Sequence, residues 1–147
     1  MLGYLQRRNY WFSKVSFKYK ERGSTTFEKV LRPLVNLEIY SVIDEEWYIV
    51  EDVLVDSGAD LSLLPYRQGK LFILDIESGN EIEIRGIVPY SKRTVYLHRL
   101  KFRIDQMEFD APVGISESDD VPPILGRVDA LDAFFVELDR GKEVGFS

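Results

Sequence analysis

The strongest constraint in this 147-residue sequence is its rhythm: apolar side chains return at every second position through one segment after another. That is the spacing of strands that turn one face inward. From Phe12 to Arg22, Val15, Phe17 and Tyr19 fall on one face, and Lys14, Lys18, Lys20 and Arg22 on the other. Leu34 to Val42 sets Val35, Leu37 and Ile39 against Asn36 and Glu38. Trp47 to Val55 ends in the unbroken apolar run Val53-Leu54-Val55, the mark of a strand covered on both faces. Further strands are expected at Lys70–Ile76, Glu81–Ile87, Thr94–Ile104 and Met107–Val113. A closing hairpin is expected from Phe134–Leu138 and Glu143–Phe146, turning at Asp139-Arg140-Gly141-Lys142. Only Val128–Phe134 has helical spacing, with Val128, Leu131 and Phe134 three apart. The pattern predicts an all-β chain with one short helix near its C-terminus.

Composition narrows the chemistry. The length suits a single domain with its own core. The sequence has no Cys and one His, His98. Thiol nucleophiles, disulfides and Cys-ligated zinc are excluded, as is a zinc site needing paired histidines. No Walker A loop or Gly-x-Gly-x-x-Gly occurs, so nucleotide chemistry has no support, and no cofactor is expected. His98 lies mid-strand with no Gly-x-Ser-x-Gly in the chain, which reads as a structural or surface histidine. Glu117, Asp119 and Asp120 form an acidic run without the EF-hand pattern, which reads as a solvated loop. The net charge of −6 argues against a nucleic-acid partner. A single-stranded nucleic-acid binder using Lys14, Lys18, Lys20 and Arg22 with Phe17 and Tyr19 is disfavoured too, because aromatics and cations point to opposite faces. No apolar run reaches the roughly eighteen residues of a membrane span. The start of the chain, with Arg7-Arg8 following its first apolar residues, lacks the apolar core of a signal peptide. A cytoplasmic location with no membrane partner is therefore expected.

The informative stretch is Val53-Leu54-Val55-Asp56-Ser57-Gly58-Ala59-Asp60. An apolar strand delivers an ionisable carboxylate into a Ser-Gly turn, where a residue without a side chain lets a substrate or a second backbone approach. Two readings stand side by side: a functional carboxylate, or a strand-to-turn junction with Asp56 as an Asx-turn former. A second motif, Ile124-Leu125-Gly126-Arg127, comes later in the chain, before the expected helix.

Together and in this order, the two motifs resemble the retropepsin family of aspartic proteases. The likeness runs from Arg32-Pro33-Leu34-Val35 to the C-terminus. It implies a closed, barrel-like acid-protease fold over residues 30–147, with residues 1–29 as an N-terminal β extension. It also implies that Asp56 is the catalytic carboxylate, that Ser57, Gly58 and Ala59 form the active-site loop, and that Asp60 pairs with Arg127 beside Gly126. The family's flap would fall on Arg85, Gly86, Ile87, Val88, Pro89 and Tyr90, although one Gly and one Pro depart from the Gly-rich flaps of the family. Val121, Pro122, Pro123 and Ile124 would wall the substrate pockets. The family's reaction uses two carboxylates. The only other Asp-x-Gly, Asp139-Arg140-Gly141, sits among charges and reads as a hairpin turn. The resemblance thus implies a homodimer with one Asp56 from each subunit, acting on a peptide or protein. A dimeric peptide-binding module on the same fold, without catalysis, is the alternative.

Overall fold

The computed structural model describes residues 14–85 and 92–147. The first strands, β1 (Val15–Lys18) and β2 (Lys20–Gly23), come from the expected N-terminal segment, broken at Tyr19. Then follow β3 (Lys29–Arg32), β4 (Leu34–Ser41), β5 (Glu46–Val55), β6 (Ser62–Leu64), the helical turn α1 (Tyr66–Gly69), β7 (Asn80–Arg85), β8 (Lys92–Ile104) and β9 (Met107–Ser116). The two-residue β10 (Ile124–Leu125) precedes the final hairpin of β11 (Val136–Asp139) and β12 (Glu143–Phe146).

Seven strands form the main sheet in the order β4-β5-β10-β6-β9-β8-β7, and a further pairing of β4 with β8 closes six of them into a barrel. β7 continues the sheet beyond the closure as one side of the β7–β8 arm. The alternation read in β4 is realised: Val35, Leu37 and Ile39 are buried, while Asn36 is exposed. These side chains join Val50, Val53, Phe102, Ile104, Val113, Ile115 and Leu125 in one core.

A smaller sheet, β1-β12-β11, docks on the barrel through a chain of aromatic rings. Phe17 meets Phe146 edge-on at 6.2 Å, Phe146 meets Phe134 at 5.7 Å, and Phe134 meets Phe109 at 5.1 Å. Phe109 stacks on Phe102 at 5.2 Å, which completes the link to β8. Edge-on and stacked pairs at these separations add to the stabilisation from apolar burial.

Three segments differ from their sequence pattern. Lys70–Ile76, expected as a strand, is a run of turns after α1. Its apolar residues do not alternate between faces: Phe72 is fully buried while Leu74 is 88% exposed. Val128–Phe134 forms no α-helix but only a 3-10 turn at Leu131–Ala133, because Asp129 takes a left-handed φ of 56° that interrupts helical winding. The connection Leu61–Pro65 also holds a strand, β6, that alternation alone did not mark.

The β2–β3 hairpin is tied to the barrel by charge. Asp52 on β5 receives Lys20 and also Arg22, the latter at 2.8 Å. Lys20 above all, by hydrogen bonding, holds the Asp52 carboxyl below the ordinary aspartate range; burial opposes this, and the charges of Lys20 and Arg22 add to the lowering. A carboxyl depressed on folding contributes stability above its unfolded pKa, about 3.9, and loses it as pH falls through the lower folded value. Asp52→Asn is therefore expected to lower the melting temperature near neutral pH and to converge with wild type in strong acid. Melting curves recorded across that range test this; a gap independent of pH contradicts the charge clasp.

Candidate active site

The position of Asp56 follows from a change of phase in β5. Val50, Val53 and Val55 all face the core, so the inward positions are three apart at one step instead of two. The pairing with β4 shows why: Val35 lies opposite Val53 but Leu37 opposite Val50, so β5 carries one extra residue. This β-bulge centres on Asp52, whose φ is 54° and whose amide donates to the Asn36 side chain at 3.2 Å. An unbulged strand counted from Val50 would turn Asp52, Leu54 and Asp56 into the core. With the bulge, Asp56 ends the strand half-buried at a surface.

Past β5 the chain makes a tight turn. The Asp56 amide donates to the Leu125 carbonyl at 3.1 Å, and the Ala59 amide to the Asp56 carbonyl at 3.2 Å. The Gly58 amide donates to Asp56 Oδ1 at 3.0 Å, which is the Asx-type bond expected of such a turn. The carboxylate thus has one backbone donor. Among the described residues no cation lies within ion-pair distance of it; Arg127 instead stands 3.9 Å from both Asp60 and Asp132. Ser57 and Gly58 are exposed.

The second motif lies directly against the first. β10 runs parallel to β5, with Ile124 opposite Leu54 and Leu125 opposite Val55, and antiparallel to β6, with Ile124 opposite Leu63. It therefore fills the gap between the two strands that flank the Asp56 loop. The Arg127 amide reaches the Ala59 carbonyl and the Val128 amide the Asp60 carbonyl, each at 2.9 Å. A Cβ on Gly126 would come within 2.7 Å of the Leu61 carbonyl carbon and 2.9 Å of the Ala59 oxygen. Only glycine fits a backbone approach this close. The expected Asp60–Arg127 pair is loose and solvated, with Asp60 83% exposed. The two motifs are joined by backbone hydrogen bonds, which the side-chain charges merely accompany.

Of the remaining site residues, Arg85 is exposed at the end of β7; Gly86, Ile87, Val88, Pro89 and Tyr90 lie outside the described residues. Val121 and Pro123 are half-buried and Pro122 exposed, and the Pro123 carbonyl accepts the Leu54 amide at 3.0 Å. His98 has a structural partner, its Nε2 lying 2.6 Å from the Ile76 carbonyl. Among the described residues no cluster of acids and histidines has the arrangement of a metal site.

Sequence patterning missed Ser62. It is buried, and its hydroxyl accepts the Gly126 amide at 2.9 Å. The available signal was its place two residues before Leu64 on the inward side of a strand, where a polar residue needs a partner. Ser62→Ala orphans a buried amide and is expected to cost about 1–3 kcal/mol. Urea unfolding measures this, and an unchanged midpoint contradicts the assigned role.

No family model and no curated protein matches this sequence. Among solved structures, it is similar to a retropepsin-like aspartic protease from Rickettsia conorii, with 13% identity, coverage of 91% of each chain and a TM-score of 0.56. The EIAV protease bound to the inhibitor HBY-793 also matches, with 20% identity over 65% of this chain and 82% of that one, at a TM-score of 0.43. With its six-stranded closed barrel and β10 set between β5 and β6, the chain has the fold of a retropepsin-like aspartic protease.

Proposed function

We propose that the protein is an aspartic endopeptidase that acts as a homodimer, its reactive centre formed by Asp56 of two subunits. The observation that carries this is Asp56 itself: a carboxylate with no cation at ion-pair distance among the described residues, fixed by a backbone turn that β10 braces from behind, on this fold.

Peptide hydrolysis at such a pair needs no other group than water. Two carboxyl groups about 3 Å apart share one proton, because both cannot ionise together, as is established for aspartic proteases in general. The ionised Asp56 takes a proton from water as its oxygen attacks the peptide carbonyl carbon. The protonated Asp56 gives its proton to the carbonyl oxygen, which yields a tetrahedral diol. A proton then passes to the amide nitrogen, the carbon–nitrogen bond breaks, and a carboxylic acid and an amine leave. Exposed Ser57 and Gly58 leave the loop open to approach by a second copy. β12 cannot join subunits by strand pairing without rearrangement, since β1 and β11 occupy both its edges within one chain. Val121, Pro123 and Ile124, half-buried beside β5, are the apolar wall proposed for substrate side chains.

Cleavage of a peptide library at mildly acid pH tests the proposal. The wild type is expected to show activity that falls on dilution as dimers separate. Asp56→Asn is expected to reduce turnover by about 10²–10⁴-fold or more while the fold is kept. Cleavage that survives the substitution overturns the mechanism. A well-formed dimer that binds peptides and cleaves none, with or without the substitution, points to the peptide-binding module.

A further inference from the structure

The acidic run that reads as a solvated loop is stitched to the rest of the molecule at both sides. After β9, the Glu117 amide donates to the Thr94 carbonyl on β8 at 3.1 Å. Asp120 receives Arg93 Nη1 on both carboxylate oxygens at 2.6 Å, and also the Ser118 hydroxyl. Arg93 and Thr94 belong to the β7–β8 arm, where Arg93 lies opposite Ile84. On the other side, the Tyr66 amide donates to the Ser118 carbonyl at 3.2 Å. The Arg67 amide donates to Asp119 Oδ1 at 2.8 Å, which caps a helical turn that has no capping side chain of its own. The loop then runs through Val121-Pro122-Pro123 into β10, whose backbone holds Leu54 and Asp56.

We propose that this acidic loop, residues 117–120, is a strut that sets the arm against the Asp56 site, and that Arg93 and Asp120 are positioning residues for peptide binding. The inference rests on the aspartic-endopeptidase reading for its effect on substrate, but not for its effect on the arm. The arm leaves the closed barrel at β8 and is flanked on its far side by β7, the last strand of the sheet order. Its orientation is therefore less determined by barrel closure than that of any strand inside the ring. One guanidinium nitrogen shared between both carboxylate oxygens makes a charge-assisted contact that holds the two side chains together. Placed opposite Ile84, one residue pair from the far end of the described β7–β8 ladder, it holds the outer part of the arm to the loop. Both side chains are partly exposed, so the contact adds little to global stability. It acts on the geometry of one hairpin instead.

The test combines hydrogen exchange with kinetics on the full chain. Arg93→Ala and Asp120→Ala are each expected to speed amide exchange at least fivefold in Asn80–Arg85 and the paired half of β8, with exchange in β4 and β5 unchanged. For a cleaved peptide, KM is expected to rise three- to tenfold and kcat to stay within twofold. The exchanged pair Arg93→Asp with Asp120→Arg is expected to recover most of both effects. Unchanged exchange in the arm, or exchange that rises equally throughout the barrel, overturns the strut. Selective loosening of the arm in a protein that cleaves no peptide leaves the strut standing and removes the endopeptidase reading.

Discussion

Ile124 and Leu125 pair with strands on both sides of them, and the geometry around Asp56 depends on that double pairing. A loop between β5 and β6 would otherwise cross an open gap in the barrel wall, with unpaired backbone groups on either side. Filling the gap with two residues satisfies those groups, since buried backbone polar groups must find partners. It also brings Gly126 so close to the Ala59 and Leu61 backbone that no side chain can intervene. The carboxylate is thus positioned by main chain, which has far fewer ways to relax than a network of long side chains.

The bulge in β5 makes that bracing useful. Barrel strands alternate strictly between core and solvent, so a one-residue change of phase decides which side an ionisable group faces. Burying Asp56 among Val53, Val55 and their neighbours would carry a desolvation cost, with no cation among the described residues placed to offset it. Asp52 takes the left-handed conformation at the bulge, with Asn36 accepting its amide and Lys20 and Arg22 meeting its carboxylate. The N-terminal hairpin consequently bears on the residue that sets the phase four positions before Asp56.

These features were unequally visible in the sequence. β4, β8 and β9 declare themselves by alternation because each has an inner face on one continuous core. The motifs at residues 56–60 and 124–127 were legible from their composition and order, and at Gly126 the close approach of the Ala59 and Leu61 backbone demands the glycine. The apolar run Leu71-Phe72-Ile73-Leu74 has the composition of a strand, but the chain turns there and buries mainly Phe72. Helical spacing at Val128, Leu131 and Phe134 reflects a turn that places Leu131 and Phe134 against the core. Spacing by three fits a 3-10 turn as well as an α-helix over so few residues. The Arg93–Asp120 and Ser62–Gly126 contacts were not legible, since nothing local records which distant partner a surface charge or a hydroxyl will meet.

One chain alone would be insufficient for the proposed chemistry. A single carboxyl is either ionised or protonated, and the reaction needs a base for water and an acid for the carbonyl at the same moment. Among the described residues, the Asp52 carboxylate is held by Lys20 and Arg22, while Asp60 and Asp132 stand loosely, 3.9 Å from Arg127. A carboxylate beside a fixed cation keeps its charge and is a poor proton donor. Among the described residues, the Asp56 carboxylate meets only the Gly58 amide. For the proposed chemistry the matching group is a second Asp56, which a two-fold axis would supply.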